Sequence, residues 1–148
     1  MASVEYTHLA PGTEPPRLTG NAPFKAVVLV EAEVAPHWRE AVSDWLVQSN
    51  CRYMMAWGHR CSDWDDSVDL AALAHHAPGE IPDDEYVMTT WHENETMREV
   101  FWFCQHFAAY PYIDLINTLI VHIASTARAD EILADFRAAR TLAEDRPR

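Results

Sequence analysis

Four short apolar runs, each followed by a segment of helical periodicity, constrain this chain more than any other feature. They read "FKAVVLVEAEV" (24–34), "CRYMMAWG" (51–58), "YVMTTWH" (86–92) and "INTLIVHIA" (116–124). Runs this short and this apolar are expected to be strands covered on both faces. The intervening segments have the other period. "PHWREAVSDWLVQSN" places Trp38, Ala41, Val42, Trp45 and Ser49 on one helical face, with Pro36 suited to the first turn. "SDWDDSVDLAALAHH" supplies Val68, Leu70, Ala71, Leu73 and Ala74. "MREVFWFCQHFAAY" lines up Met97, Val100, Phe101, Cys104, Phe107 and Ala108 and stops before Pro111. "ADEILADFRAARTLAED" turns Ile132, Leu133, Phe136 and Ala139 inward.

Strands alternating with helices predict an α/β fold with a parallel sheet between two helical layers. The expectation is a single three-layer Rossmann-like or flavodoxin-like domain of about four parallel strands, in the order 2-1-3-4. The domain is expected over residues 24–148, a length that suits one core. Residues 1–23 carry Pro11, Pro15, Pro16 and Pro23 and little periodicity. They are expected to form an extended arm, docked through Tyr6 and Leu9 or else disordered.

Charge and composition narrow the function. Net charge is -12, and between Asp63 and Glu99 eleven acids face one base, Arg98. Such an acidic surface repels phosphate backbones, so nucleic acid is not an expected partner. No run of eighteen apolar residues is present, and no basic start precedes an apolar stretch, so neither a membrane span nor a secretory signal is expected. The expected location is the cytoplasm. Three cysteines without a CxxC pair fit reduced thiols there. With four glycines, and neither GxGxxG nor GxxxxGK[ST], a standard nucleotide-phosphate cradle is disfavoured and no cofactor is expected.

Ligands of open parallel sheets bind beyond the carboxyl ends of the strands. Those ends carry Glu31, then "WGHRCSDWDD", then "TTWHENE", then His122 and Ser125. Trp57, His59, Trp64, Trp91, His92 and Glu31 are therefore the expected ligand-binding residues of an aromatic and acidic edge. Each has a plainer reading. Ser62 or Asp63 can cap one helix, and Thr96 with Glu99 can form a capping box on another. Tryptophans pack cores, and His122 reads most simply as a hydrogen-bonded core histidine. His59, Cys61 and His92 are zinc-type donors, but their spacing matches no known metal motif, so no metal is expected. For catalysis, Cys61 with His59 or His92 would form a thiolate–base pair, and His92 with Glu93, Asp66 or Glu31 an acid–base pair. On the third helix, Trp102 and Phe103 flank the core face. The cover for that aromatic surface is expected either from the monomer or from a homodimer.

The run "YMMAWG…CSDWDDSVDL…VMTTWHENE…EVFWF" resembles a small bacterial family of uncharacterised α/β domains, over about residues 51–103. The resemblance implies no activity and transfers no catalytic residue. It implies only that the endings of the second and third strands form one feature. The functional expectation is a small acidic accessory or binding domain that holds a small molecule or a protein segment at the Trp/His/acid edge. One alternative is a hydrolase or transferase built on His92, Cys61 and nearby carboxylates. Another is a regulatory or immunity-type protein with an acidic interaction face.

Overall fold

A computed structural model of the chain describes residues 2–141. Its elements are β1 (Ser3–Leu9), β2 (Phe24–Val30), α1 (Pro36–Gln48), β3 (Cys51–Gly58), α2 (Cys61–His76), β4 (Met88–His92), α3 (Met97–His106), β5 (Asn117–Ile123) and α4 (Ala129–Ala138), followed by a 3-10 turn, Ala139–Thr141. The expected continuation of the last helix over residues 142–145 lies outside the described residues. All strand pairs are parallel, in the order β1-β5-β2-β3-β4.

The α/β class and the parallel sheet agree with the periodicity. The strand count and order differ from expectation. Ser3–Leu9 form a fifth strand, hydrogen-bonded beside β5. Among the four expected strands, the last lies beside the first, and the first three follow one another across the sheet. The reason is in the helices. α1 and α2 share one face of the sheet, where Ser43 and Ser67 meet at 2.8 Å between the two helices. Successive crossovers on one face advance the sheet in one direction: β2, β3, β4. α3 lies on the opposite face and carries the chain back past β3 and β2 to β5. The segment 10–23 runs outside α1, where the indoles of Trp38 and Trp45 donate to the carbonyls of Thr13 and Pro16. Every crossover consequently has the same hand, as parallel connections require.

Two cores result. On the first face, Trp38, Val42, Leu46, Trp64 and Val68 pack on Ala26, Val28, Met54 and Ala56. On the second, Val100, Phe101, Cys104, Ile132 and Phe136 pack on Val27, Leu29, Met55 and Ile120. Each fully buried aliphatic or aromatic side chain contributes about 1.5–3 kcal/mol. Pro36 opens α1 as expected, and the Thr96–Glu99 capping box opens α3. α2 departs from expectation: it begins at Cys61, preceded by Arg60 in the left-handed conformation, with no side-chain cap from Ser62 or Asp63.

β2 and β3 end in close contact. Gly58 has φ +100°, and a Cβ there would sit 2.2 Å from the Val30 carbonyl oxygen. That same oxygen accepts the His59 N–H at 2.8 Å. No side chain fits without shifting the backbone. Gly58→Ala is therefore expected to cost more than about 2 kcal/mol, in the upper range for a strained backbone position. Urea unfolding of the variant against the parent checks this.

Candidate functional site

A parallel sheet aligns residues of all its strands into rows. The last complete row at the carboxyl edge is His8, His122, Leu29, Trp57 and His92, one residue from each strand in spatial order. Alternation along each strand turns this row to the second face. There it lies under the N-terminal ends of α3 and α4. Three histidines and a tryptophan thus share one rung of the sheet.

Two polar clusters grow from the row. In the first, the His122 ring is fully buried (0% exposed) between Glu31 and Tyr6. Its Nε2 lies 2.6 Å from Glu31 Oε1, and its Nδ1 lies 2.6 Å from the Tyr6 hydroxyl. The backbone N–H of Arg128, just before α4, donates to the Tyr6 oxygen at 3.0 Å. The Arg128 guanidinium also donates to Glu31 Oε1 and pairs with Glu131 at 3.2 Å. Next to this, a ring nitrogen of His8 meets the Ala124 carbonyl at 2.7 Å.

The charges of this cluster are settled by their surroundings. Burial alone would raise the Glu31 carboxyl, but bonds and charges from His122 and Arg128 outweigh it and hold the group below its ordinary 4.5. Burial lowers His122 below its ordinary 6.5, with Arg128 and His8 adding to it and Glu31 opposing. Glu31 is ionised and His122 neutral at pH 7. An ionised carboxylate only accepts, so His122 Nε2–H donates to Glu31. Nδ1 then accepts the Tyr6 proton, and the Tyr6 oxygen accepts the Arg128 N–H. Both ring nitrogens of the buried His122 and the Tyr6 hydroxyl are paired, which matters because a buried polar group left unpaired costs about 1–3 kcal/mol.

The second cluster repeats the pattern. His92, also buried, places Nε2 2.8 Å from the Thr90 hydroxyl and Nδ1 3.2 Å from Glu95 Oε1. Its ring meets Phe103 edge-on at 4.7 Å. The Trp57 indole donates to the Glu95 carbonyl at 2.7 Å. Each buried histidine is therefore held between one carboxylate and one hydroxyl.

The expected site residues divide. Trp57 and His92 come together, and Glu31 joins the same edge through His122. Trp64 does not: it is 1% exposed within the first core. Trp91 is 48% exposed and points to the opposite face from His92, because neighbours along a strand alternate. His59 is exposed in the turn before α2. Asp66 is exposed on α2 and lines the channel between α1 and α2, on the other side of the sheet from His92. Glu93 is exposed, and Glu95 takes the carboxylate position beside His92. Cys61 is buried, and burial pushes its thiol up, with the Glu93 carboxylate adding to this against opposing backbone hydrogen bonds. Phe103 is half-buried against Tyr53 and His92, while Phe107, expected in the core, is mostly exposed.

Sequence reasoning missed Tyr6, His8, Glu95 and Arg128 as partners. His122 carried a signal, a titratable residue inside an apolar strand, but its partners lie 91 and 116 residues away. Among the described residues, no group of three or more His, Cys, Asp or Glu side chains is arranged to hold a metal ion. Among the same residues, no helix is long and apolar enough to cross a membrane.

Compared with known proteins, residues 4–139 match the family model described as a domain of unknown function, DUF7684. No curated protein and no solved structure matches the chain.

Both shifted groups of the first cluster make acid destabilising. His122 and Glu31 each have a folded-state pKa below the ordinary value. Their stabilisation is full above pH 6.5 and 4.5 respectively, and is lost as pH falls through those values. Unfolding free energy is expected to decline as pH falls from 7 through 6.5 and below, and this slope should flatten in His122→Gln, where position 122 no longer titrates. Urea titrations across that range check it. The thiols make a second prediction. All three cysteines are buried, with Cys51 pushed up to about 12 and Cys104 to about 11. The folded protein should leave an aromatic disulfide reagent unreacted at pH 8, and release three equivalents of thiol only on unfolding.

Proposed function

For this chain, which belongs to the DUF7684 family, we propose a binding role: it holds a small ligand or partner segment at the carboxyl edge of the sheet, over Glu31. The observation that carries this reading is the state of Glu31. Its carboxylate is ionised, its side chain is 30% exposed, and Oε1 is already occupied by His122 and Arg128. Oε2 has no partner among the described residues, and is the atom offered to a ligand. The position supports this too. After β5 the chain turns to α4 on the second face, and after β2 to α1 on the first. Adjacent strands whose connections diverge open a crevice between them, the usual place for ligands in such sheets. The complementary ligand presents a cationic or hydrogen-bond-donating group.

A hydrolase or transferase reading has less support. Both ring nitrogens of His92 and of His122 are occupied by protein partners. Cys61 is a buried thiol rather than a thiolate, and thiols are weak nucleophiles. Association through Trp102 and Phe103 also has less support, since both are half-buried and already packed on rings of the same chain.

The test is amide-shift mapping of the full chain against a panel of small amines, guanidines, zwitterions and carboxylates. Amines or guanidines are expected to move Glu31 and residues 124–128, and Glu31→Gln to weaken them about tenfold, as the loss of one charged hydrogen bond implies. Shifts confined to other regions, or undiminished binding by a folded Glu31→Gln variant, would overturn the proposal.

A further inference from the structure

α2 has part of its polarity reversed. Leu70 and Leu73, one turn apart, are 66% and 58% exposed, while Asp65 on the same helix is buried with Oδ1 lacking a hydrogen-bond partner. A helix selected only to cover a sheet places leucine inward and aspartate outward. Isolated exposed leucines are ordinary. Here, however, Asp66, Leu70 and Leu73 follow the i, i+4, i+7 spacing of one helical stripe, and Asp66 and Leu70 of that stripe line a channel between α1 and α2.

That channel has a volume of about 330 Å3. Leu70 and Ala74 supply its apolar strip, and Glu40, Asp44, Asp63 and Asp66 its acids, against a single base, Arg39. Asp63 is compensated, bonded by Arg60 at 2.8 Å with Arg39 at 3.8 Å. Glu40, Asp44 and Asp66 pair with no cation among the described residues. The repulsion is felt along the helix. Burial raises the Asp69 carboxyl, and the Asp65 and Asp66 carboxylates raise it further, against the hydrogen bond from Thr89.

We propose that the channel between α1 and α2 docks a basic amphipathic helix of a partner protein, its apolar residues on Leu70 and on the exposed Leu73 beside the channel, and its lysines or arginines on Glu40, Asp44 and Asp66. Charge complementarity selects the occupant. Anionic walls repel nucleic acid and the anionic surface of membranes. An apolar strip between acids fits a segment with leucine on one side and cations flanking it, the helix-in-groove mode of recognition. Two adjacent helices also present the ridges against which a third helix packs. The channel lies on the outer side of the first helical layer, away from Glu31, so it is independent of the ligand site above.

The experiment titrates the full chain with a synthetic helix of about fifteen residues, long enough for marginal helicity, with leucine on one face and lysine on the other. Amides of residues 39–44 and 66–74 are expected to shift. Leu70→Gln/Leu73→Gln, at exposed positions that leave the core intact, should weaken binding about tenfold or more. A lysine-only peptide of equal charge should bind correspondingly more weakly. Absence of shifts in the channel, equal binding of the lysine-only peptide, or shifts confined to Glu31 and residues 124–128 would overturn the proposal. So would sedimentation showing that the chain self-associates and that the double variant does not, since the channel would then belong to a second copy.

Discussion

Every strand of this sheet runs in the same direction, and most of the molecule follows from that. A parallel strand cannot return by a tight turn, so each connection must cross a face, and both faces become covered. The near-continuous apolar character of β2 and β5 is the consequence at the level of sequence. The same constraint brings all five carboxyl ends to one edge. With α1 and α2 on one face and α3 and α4 on the other, the connections leaving that edge after β2 and after β5 diverge to opposite faces.

Polar side chains in the last row then have to be satisfied without water. The molecule solves this twice in the same way, placing a buried imidazole between a carboxylate and a hydroxyl: Glu31, His122 and Tyr6 in one case, Glu95, His92 and Thr90 in the other. The first set also ties three distant segments together. Tyr6 belongs to the edge strand β1, Glu31 follows the central β2, and Arg128 precedes α4. His122 and Arg128, which hold Glu31 ionised, also bond the Tyr6 hydroxyl of β1, so fold and candidate site share one network. Such a network is unforgiving, because removing any member strands another in a region of low dielectric.

How much of this could be read beforehand depended on the range of the interaction. The elements were legible because they rest on local periodicity: the apolar runs, Pro36 at the start of α1 and the capping box of α3 are contained within a few residues each. The pairing of Trp57 with His92 was legible in part, since both end strands expected to be near one another. The placement of Trp91 was not, because assigning all three tryptophans to one edge overlooked the alternation that separates Trp91 from its neighbour His92. Trp64 was misplaced because α2 starts at Cys61, without the expected cap, and its first turns carry the indole down into the core.

By itself, then, the sequence determined the alternation of strands and helices, the parallel sheet and the net charge of -12. These are sums of local preferences and composition, and need no knowledge of distant neighbours. Only the tertiary structure decided that Ser3–Leu9 is a strand, that β5 lies between β1 and β2, and that His122 meets Glu31 and Tyr6. A strand edge accepts any partner with free backbone groups. Which one it takes is set by how the helical layers pack across the whole sheet, and that packing has no signature in any short stretch of the chain.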